Sequence, residues 1–162
     1  MEAMEKDILT VLQADSRVSI SRLSAMLGVK EDVAAAAVKK LEKDGVIVKY
    51  TTIVNGEDLD EQCVEALIEV KVTPQRGAGF DAIAQEIAAH DEVKNLYLMS
   101  GGYDLAVIVE GKSLKSVSRF VSERISTYES VISTATHFIL KKYKVEGALI
   151  KKDTEGRLSV QP

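Results

Sequence analysis

Apolar residues along this chain recur at helical spacing as far as residue 45, and from residue 63 onward strand spacing alternates with helical spacing. In "EKDILTVLQAD", Ile8, Leu9 and Leu12 fall on one face and predict a first helix. "RVSISRLSAMLGV" opens with Ser19 as N-cap, carries Leu23 and Leu27 on one face, and stops at Gly28. "KEDVAAAAVKKLEKDG" begins after a Gly-Val turn and ends at Gly45, where a helix reverses its last turn. Ala34, Ala37, Val38 and Leu41 make the inward stripe of this third helix. Ala35 and Ala36 then face outward with Lys39, Lys40 and Lys43. Two helices joined by a short glycine turn form the helix-turn-helix pattern. Its second helix lies in the DNA major groove, with N-terminal residues nearest the base edges.

The second half alternates strands and helices. "CVEALIEVKVT" sets Val64, Ala66, Ile68, Val70 and Val72 against Glu65, Glu69 and Lys71, a half-buried strand. "FDAIAQEIAAH" puts Phe80, Ile83, Ala84, Ile87 and Ala88 on one helical stripe. "VKNLYLM" and "YDLAVIV" are strands around "SGG", where Gly101 and Gly102 are expected to supply positive φ. "SLKSVSRFVSERISTY" starts at Ser113 as N-cap, with Leu114, Val117, Val121 and Ile125 on one side. "VISTATHFILKKYKV" predicts a last, long strand. The order β-α-β-β-α-β is the ferredoxin-like arrangement, with both helices on one sheet face and the other face bare. Such a face pairs with another subunit or a ligand. The fold class is therefore α+β. A helix-turn-helix (winged-helix-like) domain spans 1–50 and a linker 51–62, with Val46 to Val54 as an extended connecting strand. The ferredoxin-like domain spans 63–146. The tail 147–162 is read as a hairpin turning at "DTEG".

Composition narrows the possible chemistry. With 46% hydrophobic and 28% charged residues, the 162-residue chain is a core-forming protein and not a disordered one. No apolar run of about 18 residues predicts a membrane span, and "MEAMEKDILTVL" has no basic region before an apolar stretch, so no signal peptide is expected and the cytoplasm is the expected location. Net charge is -4, and all of it lies beyond residue 50, because residues 1–50 hold eight basic and eight acidic side chains. DNA affinity comes largely from neutralised phosphates. A neutral reading domain must therefore place its cations unevenly or multiply weak contacts by oligomerising. Arg17, Arg22, Lys39, Lys40, Lys43 and Lys49 are the candidate backbone contacts. Cys63, the single cysteine, lies in an apolar run and is expected to be a buried thiol. His90 and His137 stand outside any metal-ligand spacing, and His90 ends a helix, where its charge suits the dipole. No hydrolase elbow or phosphate-binding loop is present, so no cofactor, metal or catalytic residue is expected.

Taken in order, "LQADSRVSISRLSAMLGV", the exit "LEKDGVI" and the turn "SGGYDL" resemble the Lrp/AsnC feast/famine transcriptional regulators over residues 5 to about 146. The resemblance implies a dimer packed through its sheets, often assembled into octamers. It also implies a small effector, usually an amino acid, bound near the turn between the central strands. Members act as repressors or activators, and the resemblance implies double-stranded DNA as partner.

The candidate DNA-facing residues are Ser19, Ser21, Arg22, Lys30, Glu31, Asp32, Ala35, Ala36, Lys39, Lys40 and Lys43. The third helix departs from the family, whose members often have Ser at the site of Lys30 and longer polar residues around Ala36. Alanine methyls can meet thymine methyls, and Glu31 and Asp32 can accept from cytosine amino groups. Base readout is expected to be poor, since bidentate contacts are few. The candidate effector residues are Tyr97, Met99, Gly101, Gly102, Tyr103 and Asp104, with Thr134 and Thr136 as the other wall. Asp104 would meet an α-ammonium group, and glycine N–H groups would hold the α-carboxylate. Two alternatives stay open. One is a sirohaem-decarboxylase-like enzyme on the same architecture, disfavoured by the acidic second half. The other is an effector-sensing oligomer that no longer binds DNA.

Overall fold

The computed structural model describes residues 2–56, 63–74 and 79–150, and the chain divides into two compact units at Val54/Asn55. The first unit is three helices, α1 (Ala3–Ala14), α2 (Ile20–Leu27) and α3 (Glu31–Lys43). The Ser19 hydroxyl accepts from the Arg22 N–H at 3.2 Å, capping α2, and Gly28 ends that helix at φ 66°. Their shared core is Ile8, Leu23, Ala37, Val38 and Leu41, the stripes read from spacing. Ala34 is buried as well, while Ala35 and Ala36 are exposed.

The expected strand over Val46–Val54 is not formed. Val46 and Ile47 donate their N–H groups to the Leu41 carbonyl at 2.9 and 3.0 Å, so this segment begins as the cap of α3. Ile47 packs onto the helical core, whereas Val48 is 89% exposed. An extended segment becomes a strand only where a neighbour takes its backbone groups.

The second unit is a sheet of β1 (Val64–Val72), β2 (Val93–Leu98), β3 (Leu105–Gly111) and β4 (Val131–Phe138), in the spatial order β2-β3-β1-β4. All its pairings are antiparallel. Helices α4 (Asp81–Ala88) and α5 (Leu114–Glu123) cover one face, and a single 3-10 turn follows at Ile125–Thr127. Ile83, Ile87, Val117, Phe120 and Val121 pack there against Ala66, Ile68, Val70, Leu105, Val107 and Val109. The ferredoxin-like arrangement is therefore present. Gly111 lets α5 close onto β3, since a Cβ there would lie 2.7 Å from Ser116 Oγ and 2.9 Å from Val117 Cγ2.

Several details differ from the sequence reading. Ala88 and Leu114 are exposed, and Phe120 is buried in place of Leu114, because each helix turns its stripe by part of a turn to meet the sheet. Cys63 is exposed, since it precedes the first hydrogen-bonded residue of β1. The last strand stops at Phe138, with one further bond from the Ile139 N–H to the Glu65 carbonyl. Its neighbour β1 begins at Val64, so no described strand lies beside the residues that follow. A separate hairpin of β5 (Lys144–Val145) and β6 (Ala148–Leu149) turns at Glu146 and Gly147, both at positive φ. The "DTEG" turn lies outside the described residues.

Candidate functional site

α3 projects its candidate residues from the side opposite its buried stripe. Asp32, Ala36, Lys39 and Lys43 follow one another along the helix at i, i+4, i+7 and i+11, which is one face. Glu31 and Asp32 stand in the first turn, and Asp32 Oδ1 accepts from the Val33 N–H at 2.9 Å. Lys30 occupies the N-cap without a side-chain bond to the helix. Ser21, Arg22 and Lys43 are exposed, and Ser19 is engaged as the cap of α2.

Lys40 is diverted from this set. Its ammonium donates to Glu5 Oε1 at 2.7 Å, tying α3 to α1 through a glutamate that is only 5% exposed. Glu5 Oε2 accepts from the Glu2 N–H at 2.9 Å. The bond from Lys40 and then that from Glu2 hold the Glu5 carboxyl below its usual pKa, and the bond to Glu5 raises that of Lys40. Sequence reasoning missed Glu5, although the signal was there. It precedes Ile8, Leu9 and Leu12 by three, four and seven residues, an acid on an apolar stripe that needs a partner.

A lowered carboxyl pKa stabilises the fold above the unfolded value, near 4.5, and that stability is lost as pH falls through the folded value. Lys40→Met is expected to lower the melting temperature at pH 7 and to flatten the loss of stability below pH ~4.5. The same variant should leave the salt dependence of DNA binding unchanged. Lys39→Ala should flatten the slope of log affinity against log salt by about 0.9. Thermal melts across pH and salt titrations of DNA binding check both.

At the other candidate region, Asp104 is built into the sheet. Its Oδ2 accepts from the Val72 N–H at 2.8 Å, where the β1–β4 register shifts between Lys71 and Val72. Its N–H donates to the Val70 carbonyl at 3.1 Å, and its carbonyl accepts from the Met99 N–H at 2.8 Å. One residue thus makes three bonds, two to β1 and one across the turn. Gly101 and Gly102 are not at positive φ, contrary to expectation, and a Cβ on either would meet nothing within 4 Å. Tyr97 is 51% exposed on the uncovered sheet face beside Ala106, Met99 is exposed, and Tyr103 is half-buried.

Thr134 and Thr136 are not brought to this turn within one chain. They pair with Val70 and Ile68 on the helix-covered side of β4, at the edge of the sheet opposite β2. Both histidines are engaged. His90 Nε2 lies 3.1 Å from the Tyr128 hydroxyl and its ring meets Phe120 edge-on at 5.3 Å, while His137 lies 3.4 Å from Glu69 on the open face. Among the described residues no group of His, Cys, Asp or Glu is placed to hold a metal, and no helix is long and apolar enough to cross a membrane.

Residues 1–48 match the winged helix-turn-helix DNA-binding model, and residues 65–149 match the Lrp/AsnC ligand binding domain. The chain belongs to the Lrp/AsnC family. It is an Lrp/AsnC-type helix-turn-helix transcriptional regulator with a ligand-binding domain, and not an enzyme, which removes the decarboxylase alternative. It is 43% identical over 160 residues to the uncharacterized HTH-type transcriptional regulator YugG of Bacillus subtilis, covering 98% of this chain and 96% of that one. The HTH-type transcriptional regulator FL11 of Pyrococcus furiosus is 28% identical over 144 residues, with 89% and 92% covered. Among solved structures, the transcriptional regulator NMB0573/L-Met complex from Neisseria meningitidis shares the fold of this Lrp/AsnC chain. The TM-score is 0.69 at 21% identity, covering 90% of this chain and 93% of that one.

Proposed function

We propose that this regulator binds double-stranded DNA through α3 and responds to an amino acid held at the β2–β3 turn. It works in the cytoplasm as a homodimer or a larger assembly such as an octamer. The observation that carries the effector reading is the state of Gly101 and Gly102. Neither needs glycine for its φ, and neither is crowded by the described residues of its own chain. A molecule approaching the backbone is what a missing side chain would serve there. The Neisseria meningitidis regulator of the same fold is a complex with L-Met, which supports an amino acid as the class. Tyr97 and Met99 supply the apolar floor, and the free Oδ1 of Asp104 accepts from the ammonium group. Thr134 and Thr136 join the site only from a second subunit. The reading domain is taken as 1–50 and the sensing domain as 63–146.

Selection of bound fragments from genomic DNA tests the first half, and failure to enrich any fragment would favour a sensor that no longer binds DNA. A melting screen of the common amino acids tests the second. An effector at about a hundred times its dissociation constant stabilises the fold by roughly 2.7 kcal/mol. A screen without any shift above noise argues against an amino-acid effector.

Assembly has its own expected result. The open sheet face carries Leu67, Ile108, Ala135 and Tyr97, apolar groups that a second subunit would remove from water. Light scattering at micromolar concentration should therefore report a mass well above 17.7 kDa, and a monomer would contradict this reading.

A further inference from the structure

We propose that α3 selects a cytosine with a thymine about two base-pair steps away, Asp32 accepting from the cytosine amino group and Ala36 touching the thymine methyl. This rests on α3 being the DNA-reading helix, as proposed above. The structure narrows the helix to one outward line of Asp32, Ala36, Lys39 and Lys43, because Lys40 beside it is held by Glu5. From the N-terminus onward that line presents a carboxylate, a methyl group and two ammonium groups.

The N-terminal half of such a helix lies nearest the base edges, so the carboxylate and the methyl do the reading and the lysines meet phosphate. An ionised carboxylate only accepts hydrogen bonds. The major-groove edge of guanine offers two acceptors and thymine offers O4, so Asp32 opposes both of them. Adenine offers its amino group beside the acceptor N7. Cytosine alone presents a donor without an adjoining acceptor on the same base. Its negative charge also repels phosphates, so Asp32 lowers affinity for DNA in general and favours the sequences that satisfy it. Ala36 follows one helical turn later, about 6 Å along the axis. At ~3.4 Å per base pair this is about two steps. The short side chain lets the helix come close enough for methyl contact.

The test uses the full-length protein and duplexes it selects from a random-sequence pool. Each thymine of a selected duplex is replaced in turn by deoxyuridine, which removes only the 5-methyl group. One replacement is expected to weaken binding about fourfold. Ala36→Gly should be indifferent to that same replacement. Asp32→Asn, which keeps an acceptor for the Val33 N–H, should bind unselected DNA more tightly and lose its preference at the cytosine. A carboxylate that merely stabilises the helix terminus would leave base preference unmoved. Equal binding with deoxyuridine at every position overturns the methyl contact, and retained cytosine preference in Asp32→Asn overturns the acceptor. If the wild-type protein retains no duplex, the assignment of α3 as a DNA-reading helix fails first. Circular dichroism confirms that both variants, changed at exposed positions, are folded.

Discussion

Replacing Ala36 with leucine is expected to abolish sequence-specific DNA binding while the protein stays folded. Ala36 is exposed at the middle of the outward line of α3, and leucine is a strong helix former, so the helix itself is not disturbed. The added isobutyl group would stand between the helix and the groove floor and hold the backbone away from the base edges. What then remains is contact with phosphates, which is weaker than specific binding by about a thousandfold or more. Fluorescence anisotropy on a selected duplex measures the loss, and the far-ultraviolet spectrum reports the fold. The neighbouring change provides a contrast. Ala37 is buried in the helical core, so Ala37→Leu should overpack it at a cost of about 1–3 kcal/mol and act through stability instead. Tight specific binding by Ala36→Leu would mean that α3 does not present this face to DNA.

Asp104→Ala is expected to destabilise the second unit by roughly 1–3 kcal/mol, because it leaves a buried backbone donor without an acceptor. The donor is Val72, whose residue is only 3% exposed, so water has little access to the freed N–H. The carboxylate serves two readings at once, and alanine would remove both. Asp104→Asn separates them, since its amide oxygen can still accept from Val72 while its negative charge is gone. Asparagine should keep most of the stability measured by denaturant unfolding. It should lose the melting shift of an amino acid held through its ammonium group. A shift of wild-type size in Asp104→Asn would place the ammonium partner elsewhere.

The elements themselves were legible in the residues. Helical stripes such as Ala34, Ala37, Val38 and Leu41, and the alternation of Ala66, Ile68, Val70 and Val72, are consequences of the 3.6 and 2.0 periods. Burial obeyed them in both units. The order of the elements, the Ser19 and Ser113 caps and the glycine stop at Gly28 follow from equally local chemistry. Less legible were the ends of elements. Val46 to Val54 and the residues after Phe138 have strand-like composition. Whether they become strands depends on a neighbouring backbone, which composition does not specify.

Periodicity assigns a side chain to a face, and so the outward placement of Asp32, Ala36 and Lys39 was already contained in the order of residues. It does not assign a partner. Lys40 looked like its neighbour Lys39 until the packing of α1 against α3 brought Glu5, 35 residues away, to 2.7 Å. From the sequence Asp104 is a candidate ammonium partner in its turn, and only the antiparallel β1 and β3 set the Val72 N–H, 32 residues away, against its carboxylate. From the sequence, Tyr97 lines the floor and Thr134 the other wall of one pocket. The strand order β2-β3-β1-β4 and the alternation of faces put them at opposite edges and on opposite sides. A hydrogen bond or a shared pocket is settled by a distance of a few ångströms between groups remote in the chain, and that distance exists only once the helices and strands have packed.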